Sequence, residues 1–144
     1  MKKRGENIEN FDKIKKTAAE DLKNAAKRQA QAREKIEVEK AKRAFGNSQV
    51  AAEKKEAILI KITQLVDRQN LELKAAYQDL EKLKQQEFFF ISKNKPIPID
   101  LKQQLTYNAK RIHDIKTKNQ SLQSEYRNTQ AEYDIIIKRL KNTE

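Results

Sequence analysis

Apolar residues recur with heptad spacing over the last third of the chain. From Leu101 onward, the positions expected on one helical seam follow each other at steps of four or three residues. A mean period of 3.5 residues, against 3.6 for a straight α-helix, predicts a left-handed coiled coil with a partner helix. The seam positions are Leu101, Leu105, Asn108, Ile112, Ile115, Asn119, Leu122, Tyr126, Thr129, Tyr133, Ile136 and Leu140.

A similar seam runs through the middle of the chain. Two successive four-residue steps around Gln69 interrupt its regular spacing and predict a local stutter in the supercoil. The seam positions are Ile58, Ile62, Leu65, Gln69, Leu73, Ala76, Leu80, Leu83, Glu87 and Phe90.

Two short segments interrupt the helical pattern. Gly46 is suited to a left-handed C-cap, and Asn47 or Ser48 to the N-cap of the next helix. The segment 92–99 contains two prolines, which prevent a continuous helix there.

The last helix is predicted to start at Asp100, with Gln103 three residues later as in a capping box. The pattern therefore predicts three helices. They cover about 7–44, 48–91 and 100–142.

These elements predict an all-α fold. The second and third helices have nearly equal lengths and a short turn between them, which favours an antiparallel coiled-coil hairpin over 46–144 with its proline turn at 92–99. Residues 1–45 form a basic N-terminal helix or arm in this interpretation. An elongated three-helix bundle is the alternative.

Folding the hairpin at its turn predicts a register. Leu80 is expected opposite Ile112, and Ala76 opposite Ile115. Polar residues within the seam penalise slipped registers, because a slip would bury them without partners. The residues expected to set the register are Gln69, Asn108 and Asn119.

The first helix has a thinner apolar stripe that relies on alanine. We expect it to project or to pack loosely, although Leu59, Val66 and Leu71 flank the hairpin seam and could support a bundle. The stripe comprises Ile8, Phe11, Ile14, Ala18, Leu22, Ala25, Gln29, Ala32, Ile36 and Phe45.

The formal net charge of +11 favours polyanionic partners at low salt. Residues 1–45 carry 14 basic and 8 acidic side chains, so the excess concentrates there. A solvating surface with no anionic partner explains the same pattern equally well. The candidate nucleic-acid contacts are Lys2, Lys3, Arg4, Lys13, Lys15, Lys16, Lys23, Lys27, Arg28, Lys40, Lys42 and Arg43.

Large apolar side chains concentrate at the hairpin turn. The side chains of three adjacent phenylalanines cover about 300° of the circumference of a helix, so one seam cannot bury them all. Either Ile97 and Ile99 fold over them as a plug, which the sequence favours, or they form a contact site for a partner. We call Phe88, Phe89, Phe90 and Ile91 the tip cluster.

No catalytic or cofactor-binding pattern is recognisable. His113, the one histidine, follows the seam residue Ile112 and should face solvent, without the orienting partner that a general base needs. We therefore expect no enzyme activity, no cofactor and no metal. The lack of cysteine and of a long apolar run predicts a cytoplasmic protein without a transmembrane segment, with the periplasm as an alternative.

The sequence thus predicts a non-enzymatic interaction or scaffolding protein that binds a protein partner or self-associates. One alternative is sequence-independent nucleic-acid or ribosome-associated binding through the basic N-terminal helix. Another is contact with a membrane surface or cell envelope through the Phe-rich tip.

Overall fold

The computed structural model describes the backbone of residues 2–144 and the side chains from Asn10 onward. It contains three helices, α1 (Lys2–Phe45), α2 (Ser48–Ser92) and α3 (Ile99–Lys141), and no strand within the described residues. The predicted all-α fold and the three helices are confirmed. The low glycine and proline content explains why each helix extends for more than forty residues without interruption.

Gly46 ends α1 as the sequence predicts. Its φ angle is +82°, in the left-handed region, and its N–H donates to the carbonyl of Lys42 at 2.8 Å. This bond satisfies a carbonyl that the end of the helix would otherwise leave without a partner. Because α2 begins at Ser48, Asn47 occupies the preceding cap position.

Asn94 ends α2 with a Schellman motif. Its φ angle is 50°, its N–H donates to Ile91 O at 3.1 Å, and the N–H of Lys95 donates to Phe90 O at 3.0 Å. Asparagine tolerates the left-handed conformation better than most side chains do. The prolines that follow keep the connection extended, so the turn lies where it is predicted.

Helix α3 begins one residue before its predicted start at Asp100. The helix begins at Ile99, and the carbonyl of Pro98 accepts the first helical hydrogen bond, from Lys102 N at 3.1 Å. Pro98 therefore occupies the cap position assigned to Asp100. Asp100 lies in the first turn instead, where its negative charge complements the helix dipole.

The chain divides into two compact units. The hairpin unit is Gln49–Ile137 and contains most of α2 and α3. The terminal unit comprises the residues up to Ser48 together with Lys138–Glu144.

The seams of α2 and α3 form the core of the hairpin unit. Ala76, Ile112 and Ile115 are buried in one cluster, with Leu73 and Leu80 packed against it. This cluster confirms the predicted neighbourhood of Leu80 with Ile112 and of Ala76 with Ile115. The small side chain of Ala76, fully buried, allows the two larger isoleucines to approach α2 closely.

The predicted stutter is present in the burial pattern of α2, but it lies about one turn earlier than predicted. Leu65 is 37% exposed, whereas the adjacent Val66 is half-buried. The two successive four-residue steps therefore run from Ile58 to Ile62 and from Ile62 to Val66, and not around Gln69. From Val66 onward the buried and half-buried positions follow the regular four-and-three spacing that the partner helix also follows.

In the terminal unit, the described side chains of α1 that contact the end of α3 lie near the C-terminus of α1. Ala41 and Leu140 are buried. Arg139 donates two bonds to the Glu34 carboxylate, from Nε at 2.8 Å and from Nη2 at 3.2 Å. Every side chain from Asn10 to Ile36 is exposed. This exposure fits the loosely packed first helix that the sequence predicts.

Candidate interaction surfaces

Asn108 connects the two helices of the hairpin unit. It is 4% exposed, and its Nδ2 donates to the main-chain carbonyl of Ala76 at 3.0 Å. A buried amide with a backbone partner tolerates little sliding, because a slip would leave the amide without that acceptor. The geometry supports the register-setting role predicted for Asn108.

Asn119 makes a polar pair across the helices with Asn70, which was not among the residues expected to set the register. Its Nδ2 donates to Oδ1 of Asn70 at 3.2 Å, not to Gln69. Gln69 is nevertheless buried at 7% exposure. The Oδ1 atom of Asn119 is buried without a hydrogen-bond partner. The site therefore carries a desolvation cost that a better-satisfied pair would avoid.

The N-terminus of α2 binds a carboxylate within the terminal unit. The backbone N–H and the hydroxyl of Ser48 donate to Oε1 and Oε2 of Glu144, both at 2.8 Å. These hydrogen bonds, backbone first, lower the pKa of Glu144, and the nearby Lys141 acts in the same direction. Sequence reasoning missed this contact, because 96 residues separate the two partners.

The tip cluster is largely exposed. Phe88 is 69% exposed, Phe89 49% and Ile91 53%, and only Phe90 is half-buried on the seam. The favoured plug interpretation is wrong for Ile99, which is itself 72% exposed, whereas Ile97 is half-buried. Ile99 is therefore not part of a closed plug, and Phe88, Phe89 and Ile91 stay largely exposed beside the half-buried Ile97. The cluster leaves an apolar surface at the turn of the hairpin.

Contacts within the tip hold its rings in place. Phe89 and Phe90 meet edge to face at 5.6 Å between ring centroids, and Lys93 Nζ lies 4.4 Å from the centroid of Phe89. The exposed surface also continues along α2, where Tyr77 and Phe88 line one shallow groove. The eleven-residue spacing of these two rings places them on one helical face, a signal that sequence reasoning overlooked.

The basic side chains predicted to contact nucleic acid are exposed wherever they are described. Those of Lys2, Lys3 and Arg4 lie outside the described side chains. Lys40 pairs with Glu37 at 3.6 Å. The steps of three, seven and four residues place four lysines on one face of α1. These are Lys13, Lys16, Lys23 and Lys27.

No arrangement typical of catalysis or metal binding emerges from the described side chains. His113 is exposed, as predicted. Among the described residues, histidine and acidic side chains form no cluster suited to a metal ion. Within the same residues, none of the helices is long and apolar enough to cross a membrane.

Comparison of the chain with protein-family models, with curated proteins and with solved structures finds no match in any of the three.

Proposed function

We propose that this chain is a non-enzymatic coiled-coil interaction protein that binds a protein partner or a second copy of itself through the tip cluster. The exposure of Phe88, Phe89 and Ile91 beside a half-buried Phe90 is the observation that supports it. Contiguous exposed apolar side chains of this size commonly mark contact surfaces.

The energetics also support a contact at the tip. Complete burial of one phenylalanine side chain contributes about 1.5–3 kcal/mol relative to exposure. Phe88 is 69% and Phe89 49% exposed, so a partner that covers them gains much of that free energy. Asn108 links α3 to α2 through the main-chain carbonyl of Ala76, which supports presentation of the two rings on an ordered pair of helices.

The test of this proposal measures the thermal stability of a tip variant and the photo-crosslinking of the tip to a partner. Phe88→Ser combined with Phe89→Ser should change the melting temperature by no more than about 3 °C, because neither ring belongs to the core. A photo-crosslinking phenylalanine analogue at position 88 of the otherwise unchanged full chain should form a protein adduct, either with a second copy or with another protein.

The matched control is Leu71, which is 71% exposed on the same helix. Leu71→Ser should leave binding to the partner or to the second copy unchanged. The photo-crosslinking analogue at position 71 should give no comparable adduct. A large loss of thermal stability in the Phe88/Phe89 double variant would restore the plug interpretation. Adducts with lipid alone would move the assignment to a membrane surface.

A second candidate function, sequence-independent nucleic-acid binding, is favoured by the lysine face of α1. Lys13, Lys16, Lys23 and Lys27 are all exposed on one side of the helix. Four phosphate contacts predict a decrease in affinity of about 50- to 150-fold between 50 and 200 mM salt. Fluorescence anisotropy of labelled random DNA and RNA with the full chain measures this decrease.

Replacing the four lysines by glutamine should flatten that salt dependence. The control removes the same charge from α2 at four other exposed lysines, Lys61, Lys74, Lys82 and Lys84. Equal effects of the two variants would mean that net charge alone attracts the nucleic acid. No binding at the lower salt concentration would remove this candidate.

A further inference from the structure

Helix α1 presents two different faces, and among its described side chains only one of these faces packs against another helix. The contacting face is defined by Glu34, Val38, Ala41 and Phe45, spaced at four, three and four residues. Val38 and Phe45 are half-buried, Ala41 is buried, and Glu34 accepts the two bonds from Arg139. These residues form the packing surface of α1 within the terminal unit.

The apolar stripe of α1 from Phe11 to Ile36 lies on the other side of the helix, whereas Phe45, which the sequence analysis placed on the stripe, lies on the contacting face. Its large residues are Phe11, Ile14, Leu22 and Ile36, exposed by 58%, 66%, 73% and 52%. At 100° per residue, the mean direction of the stripe is about 160° from that of the contacting face. The stripe therefore is not a continuation of the packing made at the end of α1.

The width of the stripe indicates what kind of surface would cover it. Together with Gln29 and the small residues between them, the four large residues fall within about 80° of arc, at steps of three and four. A lipid surface or a broad protein core favours an apolar face wider than about 100°, whereas a coiled-coil seam is narrower. The small residues permit close approach of a second helix. They are Ala18, Ala25 and Ala32.

The charged residues beside the stripe indicate which charge the flanking residues of a partner helix should carry. Lys15 and Arg33 lie along one edge, Arg28 and Lys35 along the other, and Asp21 is the acidic residue among these flanking positions. In a two-helix coiled coil, residues flanking the two seams face each other. A second copy of α1 would bring like charges together, whereas an acidic helix would bring opposite charges together.

We infer that the stripe from Phe11 to Ile36 is a docking surface for an acidic amphipathic helix of a protein partner. The apolar seam supplies the buried contact, and the basic edges select acidic flanking residues. This surface is separate from the tip cluster, and each of the two proposals can fail without the other.

The test uses the full chain and a synthetic helical peptide with isoleucine and leucine at its seam and glutamate at the flanking positions. A second peptide, with lysine in place of glutamate, serves as the sign control. Fluorescence anisotropy should show binding of the acidic peptide only. Ile14→Ser combined with Leu22→Ser should weaken that binding at least about tenfold, because two large side chains lose their buried contacts.

Leu71→Ser is the matched control, since Leu71 is 71% exposed, Leu22 is 73% exposed, and neither substitution changes the charge. It should change the affinity less than about twofold. Circular dichroism checks that the variants keep the helical content of the parent chain.

Three results would overturn the inference. The first is that the Ile14/Leu22 double variant binds the acidic peptide as tightly as the parent chain does. Net charge alone would then account for the binding. The second is self-association of the full chain in sedimentation experiments that the same variant abolishes, which would make a second copy the occupant. The third is binding to anionic phosphatidylserine vesicles that depends on Ile14 and Leu22 while the acidic peptide does not bind.

Discussion

Asn119 shows how a single polar side chain in a seam can favour one register while costing stability. Its Nδ2 is bonded to Asn70, but its Oδ1 is buried and, among the described side chains, has no partner. Asn108, by contrast, is buried with its amide bonded to the Ala76 carbonyl. The two residues lie at different heptad positions of the same seam, and they also differ in how completely their amide groups are hydrogen-bonded.

Asn119→Leu is therefore expected to raise the free energy of unfolding by about 1–2 kcal/mol, because an unsatisfied buried oxygen is replaced by an apolar group. Asn70 is exposed, so water replaces its lost partner. Thermal melting followed by circular dichroism measures the gain, and sedimentation reports the loosened register or changed oligomeric state that should accompany it.

Asn108→Leu is the control and should bring no such gain, since it removes a satisfied hydrogen bond. Lower stability of Asn119→Leu at an unchanged mass would contradict the prediction.

Glu144 gives the terminal unit a pH-dependent contact. Its pKa is lowered in the folded chain by the bonds from Ser48, so the folded state favours the ionised carboxylate. The stabilisation is present above the ordinary pKa of 4.5 and is lost as the pH falls through the lower, folded-state value.

The melting-temperature difference between the parent chain and Glu144→Gln should therefore be largest near neutral pH and should shrink below pH 4.5. A difference that stays constant across this range would show that the carboxylate charge is not responsible. Glu125→Gln, which changes an exposed acid elsewhere, is a charge-matched control.

At the scale of the element, the turn between α2 and α3 depends on one backbone conformation. Asn94 adopts a φ angle of 50°, and the two Schellman bonds at Ile91 and Phe90 depend on it. Asn94→Ala should lower the free energy of unfolding by about 1 kcal/mol, because a β-carbon without a polar group disfavours the left-handed region. Asn94→Gly should be neutral or slightly stabilising.

Chemical denaturation of the parent chain and the two variants tests this ordering. If alanine and glycine at position 94 gave the same stability, the turn would not depend on the left-handed conformation. Because the tip cluster lies directly before this turn, the alanine variant should also alter the exposure of Phe89.

The helices themselves were largely predictable from the sequence, and their contacts only in part. Heptad spacing located the seam of α3, which is buried or half-buried at each predicted position. The choice between Leu65 and Val66 was not predictable from α2 alone, since both are apolar neighbours and the partner's register decides between them. Exposure of the tip cluster depends on where Ile97 and Ile99 lie, which local patterns do not specify.

At the scale of the whole molecule, the excess of positive charge and the exposed apolar groups occur on different surfaces. Four lysines of α1 share one face, the stripe of α1 occupies another, and the tip cluster belongs to the hairpin unit. The net charge of +11 by itself predicts attraction to any polyanion at low salt. Net charge alone does not discriminate between anionic partners, so the apolar surfaces must contribute, which is why the substitutions proposed for the tip cluster and the stripe leave the charge unchanged.

The exposure of α1 from Asn10 to Ile36 has a thermodynamic consequence. No side chain in that stretch is buried, so its helical state is maintained by main-chain hydrogen bonds and intrinsic propensity rather than by packing. Alanine, lysine, glutamate and glutamine supply favourable propensities there. Substituting a single exposed alanine such as Ala19 or Ala30 by glycine would shift the helix–coil equilibrium of this stretch by about 1 kcal/mol. Affinity for any ligand that requires the helix would then decrease without the loss of a single intermolecular contact.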